Sequence, residues 1–343
     1  MWIELLVIII GFALLVWGAN RFVTGAAATA RNLGVSPLII GLTIVGFGTS
    51  APEILVSIVA ALQGNPGLAV GNALGSNITN VALILGLTAI IAPLQVNSQI
   101  LRREFPILLT IMLVALLLLW DNHLGFMDGG ILVGGMFVLA AGVVWLGLRS
   151  QQTEPMIGEF DTEIPRDLST GKALLWTLLG LVVLMVSSRM LVWGSVEIAH
   201  ALGVSDLVIG LTIVAIGTSL PELAASVMSA LKGEHDIAIG NVIGSNMFNL
   251  LAVLGLPGLI YPAAIDPSVV TRDFPVMIGL TLLLLVLSYG VRGHGHIKRF
   301  EGAFLLACYG GYTSATRSPP PWPVPAPRPS LSIPARPVTA TWA

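Results

Sequence analysis

The sequence predicts an all-α polytopic membrane protein, with about ten transmembrane helices arranged as two inverted five-helix repeats. Three observations carry that reading. The 343-residue chain is 55% hydrophobic and 10% charged with a mean hydropathy of +0.90, outside the range of ordinary soluble domains. It repeats itself: between residues 33 and 87, thirty of fifty-five positions match those 169 residues later without a gap, far above what apolar composition alone gives. Its lysines and arginines gather in alternate loops, as cytoplasmic loops require.

A span needs roughly 20 mostly apolar residues to cross about 30 Å of hydrocarbon. The apolar runs place spans near residues 2–22, 36–62, 67–92, 104–120, 126–148, 172–198, 206–231, 236–261, 272–291 and 300–316. The first reads as a retained helix. Small residues at 25–30 resemble a signal cleavage site, but the amino-terminal region carries Glu4 and no positive charge, and the segment ending at Gly34 has a counterpart ending at Gly203. The tenth run starts as a helix at Glu301, but the prolines from Pro319 onward replace its expected apolar second half. Proline cannot continue a helix, so a short last helix and a disordered tail over 317–343 are expected.

The organisation is a first half over 1–148, a linker over 149–171, a second half over 172–316, and the tail. Five crossings per repeat force the second copy to enter from the opposite side. Arg31, Arg102 and Arg103, Arg149, Arg166 and Lys172, Lys232, and Arg292, Lys298 and Arg299 fall in the odd-numbered loops, Arg272 being the exception. This places the amino terminus outside and the linker in the cytoplasm, and the chain is expected in the cell's inner (plasma) membrane. The linker, with Glu154, Glu159, Asp161, Glu163 and Asp167, reads as an acidic solvated loop. Trp2, Trp120, Trp145, Trp176 and Tyr261 lie near span ends and read as interfacial anchors.

Other classes are disfavoured. A net charge of −2 implies no nucleic-acid partner, and the single Cys308 excludes an intramolecular disulfide framework. No nucleophile–base pairing or metalloprotease motif supports an enzyme, no cofactor is implied, and no obligate protein partner is evident. The expected partners are ions and the lipid bilayer.

The repeat contains polar motifs that apolar helices do not need. Gly41-Leu-Thr-Ile-Val-Gly-Phe-Gly-Thr-Ser-Ala-Pro-Glu53 returns as Gly210-Leu-Thr-Ile-Val-Ala-Ile-Gly-Thr-Ser-Leu-Pro-Glu222. A carboxylate inside a membrane costs about 2.5–3.5 kcal/mol on insertion scales, so Glu53 and Glu222 demand a reason. Equivalent residues of inverted repeats meet near the midplane, and two carboxylates meeting there repel unless a cation or protons sit between them. Thr49 and Ser50 share a helical face with Glu53, as Thr218 and Ser219 do with Glu222. Gly48 with Pro52, and Gly217 with Pro221, weaken the helix there and free carbonyls as ligands.

A second pair of motifs, Gly71-Asn-Ala-Leu-Gly-Ser-Asn-Ile-Thr-Asn80 and Gly240-Asn-Val-Ile-Gly-Ser-Asn-Met-Phe-Asn249, adds neutral oxygens. Ser76 and Asn80, and Ser245 and Asn249, favour ligation. For Asn72, Asn77, Asn241 and Asn246, helix packing and ligation stand equal. Two carboxylates among neutral oxygens make a hard-cation site, and the charge of two glutamates balances a divalent ion such as calcium. No histidine or cysteine lies within either motif, which disfavours softer metals.

These paired segments resemble the two alpha repeats of the calcium/cation antiporter superfamily, most closely its bacterial sodium/calcium exchanger branch, over about residues 1–312. The resemblance implies the sodium/calcium exchanger fold, with helices two, three, seven and eight forming the ion core. It also implies antiport of several sodium ions, typically about three, for one calcium by alternating access at a midplane site. Glu53 and Glu222 would be shared by both ions. Thr49, Ser50, Ser76 and Asn80 would complete the first half, and Thr218, Ser219, Ser245 and Asn249 the second, with backbone carbonyls of Gly46 and Ala215. Asn249 departs from members that carry aspartate there. Helices one and six would form the gate, with the Gly18, Gly25 and Gly194 regions as flexible points. The rival readings are a proton/calcium antiporter, whose relatives usually carry an acidic residue where Asn80 and Asn249 stand, and a non-transporting membrane protein.

Overall fold

A computed structural model describes residues 2–34, 37–96, 100–150, 168–202, 215–289 and 295–317. Gly203, the start of the second glutamate motif, most of the acidic linker and the proline-rich tail lie outside the described residues. Among the described residues, six helices are long and apolar enough to cross a membrane, and one bent pair makes a seventh. Their outer faces expose large apolar side chains, such as Val138 and Val286, which lipid rather than protein covers. The chain is an all-α polytopic membrane protein.

Helices α1 (Trp2–Leu33) and α6 (Thr170–Ala201) pack along their length, and both run unbroken for 32 residues. Glycine sets their separation. A methyl at Gly25 would sit 2.5 Å from the Thr177 nitrogen, and one at Gly180 would collide with the Phe22 nitrogen. Gly18 and Gly194 likewise abut Val183 and Ile8 of the facing helix. The glycines expected to be flexible points are therefore points of close backbone approach, as small residues are between membrane helices.

Helix two is bent by 47° between α2a (Gly41–Thr49) and α2b (Ala51–Leu62). The break falls at Ser50 (φ −80°, ψ 2°), with Pro52 in the first turn of α2b. Proline there lacks the N–H that Gly48 would have bonded. Helix seven breaks in the same way at Ser219 (φ −91°, ψ 8°), between α7a (Ala215–Thr218) and α7b (Leu220–Leu231), with Pro221 following. Both α2b and α7b then end at a left-handed glycine, Gly64 (φ 69°) and Gly233 (φ 75°), a conformation that other residues adopt only at a cost.

Helices α3 (Pro66–Ile91) and α8 (His235–Ile260) form the centre, and the apolar window of α8 is entirely buried. Each contains a π-helical turn, Asn80–Ile84 and Asn249–Val253. A second such pair, Ile100–Glu104 and Val269–Asp273, leads into α4 (Phe105–Leu118) and opens α9 (Val269–Leu287). Both pairs are 169 residues apart, so the irregularity belongs to the repeat.

The last helix of each half packs on the other half. In α5 (Phe126–Ser150), a methyl at Gly129 would sit 2.6 Å from the Gly255 carbonyl of α8. In α10 (Arg299–Arg317), a methyl at Gly302 would sit 2.5 Å from the Gly86 carbonyl of α3. Short antiparallel ladders repeat this exchange: β1 (Leu94–Val96) with β4 (Gly295–Ile297), and β2 (His123–Leu124) with β3 (Ala263–Ala264). No pattern in the chain announces these strands. Helix α10 runs through its glycine pair to Arg317, held by Tyr312 Oη donating to Asp273 (3.1 Å) and Arg299 donating to the Ile90 carbonyl (3.1 Å).

Candidate cation site

The backbones of α2a and α8 approach closely at two glycines. A methyl at Gly46 would sit 3.0 Å from the Ser245 nitrogen, and one at Gly244 would sit 2.5 Å from the Leu42 carbonyl. This contact brings the first polar motif of one half against the second motif of the other. Ser245 Oγ donates to the Gly46 carbonyl (3.2 Å), and Thr49 Oγ1 donates to Asn241 Oδ1 (3.1 Å) and lies 3.4 Å from Ser245 Oγ.

Each glutamate is positioned through its backbone. Asn72 Nδ2 donates to the Glu53 carbonyl (2.9 Å) and Ser57 Oγ (3.2 Å), and Asn241 Nδ2 donates to the Glu222 carbonyl (3.2 Å) and Ser226 Oγ (2.8 Å). The same clamp thus appears twice. For these two asparagines the structure favours packing, and their amides hold the turn that carries the carboxylate. Ser57 and Ser226 were not anticipated, although each stands one turn after its glutamate.

Around the pseudo-two-fold axis, Asn77 Nδ2 donates to the Asn246 carbonyl (3.3 Å) and Asn80 Nδ2 to Asn246 Oδ1 (3.0 Å). Asn77 and Asn246 therefore join α3 to α8. Asn80 spends its amide on that joint and keeps its oxygen free.

Glu53, Glu222, Asn80 and Asn249 are each 1% exposed. The Glu222 carboxyl lies beside the Thr49 and Ser50 hydroxyls and within the field of Glu53. Five oxygens at this level, Ser50 Oγ, Glu53 Oε2, Asn80 Oδ1, Glu222 Oε2 and Asn249 Oδ1, are buried without a hydrogen-bond partner. Leaving such groups unsatisfied costs about 1–3 kcal/mol each, and more when charged. All five can accept and two can be anionic, so the group they suit is a hard cation; Asn77 Oδ1 and Asn246 Nδ2 beside them are also buried without a partner. Of the other expected ligands, Ser76 is buried on α3, Ser219 is buried at the second break, Thr218 precedes it half-buried, and Ala215 opens α7a.

One further residue has no counterpart in the first half. Ser188 Oγ on α6 donates to the Gly217 carbonyl (2.6 Å), the group that Pro221 leaves without its helical donor. Ala19 stands at the equivalent place on α1, so repetition could not have revealed it.

The family model for the sodium/calcium exchanger protein matches residues 3–145 and 172–316. The chain is 49% identical to CaxA of Alkalimonas amylolytica, provisionally named an antiporter, over 89% of this chain and 96% of that protein. It is 33% identical to the sodium/calcium exchanger MaX1 of Methanosarcina acetivorans, over 90% of this chain and 96% of that one. A solved structure of the sodium-calcium exchanger NCX_Mj, soaked with zero sodium and calcium, superimposes with a TM-score of 0.79 at 30% identity, covering 92% of this chain and 99% of that chain.

Proposed function

The chain belongs to the sodium/calcium exchanger family, and from that premise we propose that it exchanges sodium for calcium at the site formed by both halves. The observation that carries this reading is the set of five buried oxygens without protein partners, drawn from α2, α3, α7 and α8. Calcium accepts six to eight oxygens in flexible geometry. Glu53 and Glu222 supply the charge that balances it, and Thr49, Ser50, Ser76, Asn80, Thr218, Ser219, Ser245 and Asn249, with the carbonyls of Gly46 and Ala215, are the neutral donors available.

Exchange rather than leakage follows from competition. Calcium and the full sodium set both need the same two carboxylates, so one must leave before the other is held. With both cations absent, two facing carboxylates repel, and that repulsion disfavours crossing with an empty site. Access alternates as the α1–α6 pair shifts across the core, with the amino terminus on the outer side of the inner membrane. Asparagine at both Asn80 and Asn249 leaves Glu53 and Glu222 as the only carboxylates of the set, which favours sodium over proton coupling.

Calcium uptake into proteoliposomes separates the readings. Sodium coupling predicts uptake driven by an outward sodium gradient at equal pH on both sides. Uptake driven by a pH gradient alone, with no response to sodium, would overturn it.

A further inference from the structure

Helix α1 carries a second kind of intramembrane charge. Arg21 stacks its guanidinium 4.0 Å from the Trp176 ring centre and 5.6 Å from that of Trp17, and the two rings meet edge to face at 6.3 Å. Its Nε is buried without a hydrogen-bond partner, and no carboxylate pairs with it among the described residues. Trp17 beside it, and Leu175 and Leu178 on the same stretch of α6 as Trp176, are exposed, where lipid lies.

A charged donor left buried without an acceptor is costly, and stacking on tryptophan offsets only about 0.5–2 kcal/mol of that. The balance calls for an anion. The place also fits a headgroup: Arg21 lies at the end of the apolar run of α1, and Trp176 lies near the start of α6, where tryptophans and basic residues mark the interface. Exposed Lys172 stands one turn before Trp176 on the same face of α6. The fold does not require the arrangement. At the inverted end of the α1–α6 pair, the positions equivalent to Trp17, Arg21 and Trp176 are Val186, Met190 and Val7.

We propose that Arg21, with Trp17, Trp176 and Lys172, binds the phosphate of an anionic phospholipid in the leaflet at the amino-terminal end of α6. The planar guanidinium offers two parallel donors to phosphate oxygens, the lysine adds the charge that favours a net anionic headgroup, and the indoles flank the glycerol region. Because the site spans the seam of α1 and α6, a bound lipid ties the two helices together.

The test uses the full chain in bilayers of phosphatidylcholine, with or without phosphatidylglycerol, and reads the thermal midpoint and the lipid retained on the protein. Phosphatidylglycerol is expected to raise the wild-type midpoint, and Arg21→Gln is expected to lose that rise and bind this lipid roughly tenfold more weakly. Inorganic phosphate in detergent is expected to do nothing. An equal rise in Arg21→Gln overturns the proposal, as does a rise produced by inorganic phosphate alone, which would assign the site to a soluble anion. Should Arg21→Gln not fold, the exposed Lys172→Gln variant decides: a reduced preference for phosphatidylglycerol supports the site, and an unchanged one contradicts it. Neither readout depends on which cation is exchanged.

Discussion

The two halves share their backbone and differ in what covers it. Breaks at Ser50 and Ser219, clamps by Asn72 and Asn241, and π turns opening at Asn80 and Asn249 recur at the same spacing. Yet α1 and α6 lie against α7b, and the Gly217 carbonyl is held by Ser188. The matching α2b instead exposes Leu55, Val59 and Leu62, whereas α7b exposes only Leu231 among its large apolar residues. The repeated features bring the polar motifs of the two halves together, and the unrepeated ones cover α7b more fully than α2b.

The sharpest way to break this comparison is to remove either carboxylate. Glu53→Gln and Glu222→Gln are each expected to lower sodium-driven calcium uptake at least about a hundredfold, since one charge of a buried ionic site is worth about 3–5 kcal/mol. Comparable activity in either variant would show that the halves are not equivalent at the ion. The clamps come next. Asn241 also accepts from Thr49 Oγ1 of the other half, so Asn241→Ala removes a bond between the halves as well as the bonds to the Glu222 carbonyl and Ser226, at about 1–3 kcal/mol for each group left unpaired. A loss of exchange of roughly tenfold or more is expected, and equal or better tolerance than its mirror Asn72→Ala would remove the special role of the Thr49 contact.

Ser188→Ala tests the asymmetric cover, because it leaves the Gly217 carbonyl unpaired. Destabilisation of about 1–2 kcal/mol is expected in thermal unfolding, and no change would mean that the carbonyl is satisfied otherwise. The smallest effect concerns the turn before α8. Asn65 caps α3 by accepting from the Leu68 nitrogen, whereas its counterpart Glu234 makes no side-chain cap. Burial, and then the charge of Asp236, push the Glu234 carboxyl up to about 7 from 4.5. The folded chain then binds more protons than the unfolded one in that window, so stability is present below about 4.5 and falls as pH rises through about 7. Glu234→Gln should flatten that slope, and an unchanged slope would assign it to another group.

Much of this was legible because a buried polar group in a membrane is expensive. Glu53 and Glu222 stood out as polar groups that the structure buries, the prolines announced the breaks, and the 169-residue spacing announced the two matching halves. The roles of Asn72 and Asn241 were open, since an asparagine at that depth serves packing or ligation equally well, and only the bonds to the glutamate carbonyls separate the two. The exchange of α5 and α10 between halves left no pattern, because Gly129, Gly258, Gly86 and Gly302 mark close approach without naming the partner. Glycines in α1 and α6 misled in the same way, suggesting flexibility where they permit contact. Ser188 and Arg21 were invisible to a reading built on repetition.

Equilibrium binding of radioactive calcium in the absence of sodium tests most directly whether the halves form one site. The wild-type chain should bind one calcium ion with high affinity, and Glu53→Gln and Glu222→Gln should each abolish that binding. If each single variant kept half of a two-ion capacity, the halves would hold separate sites and the account of a shared one would be wrong.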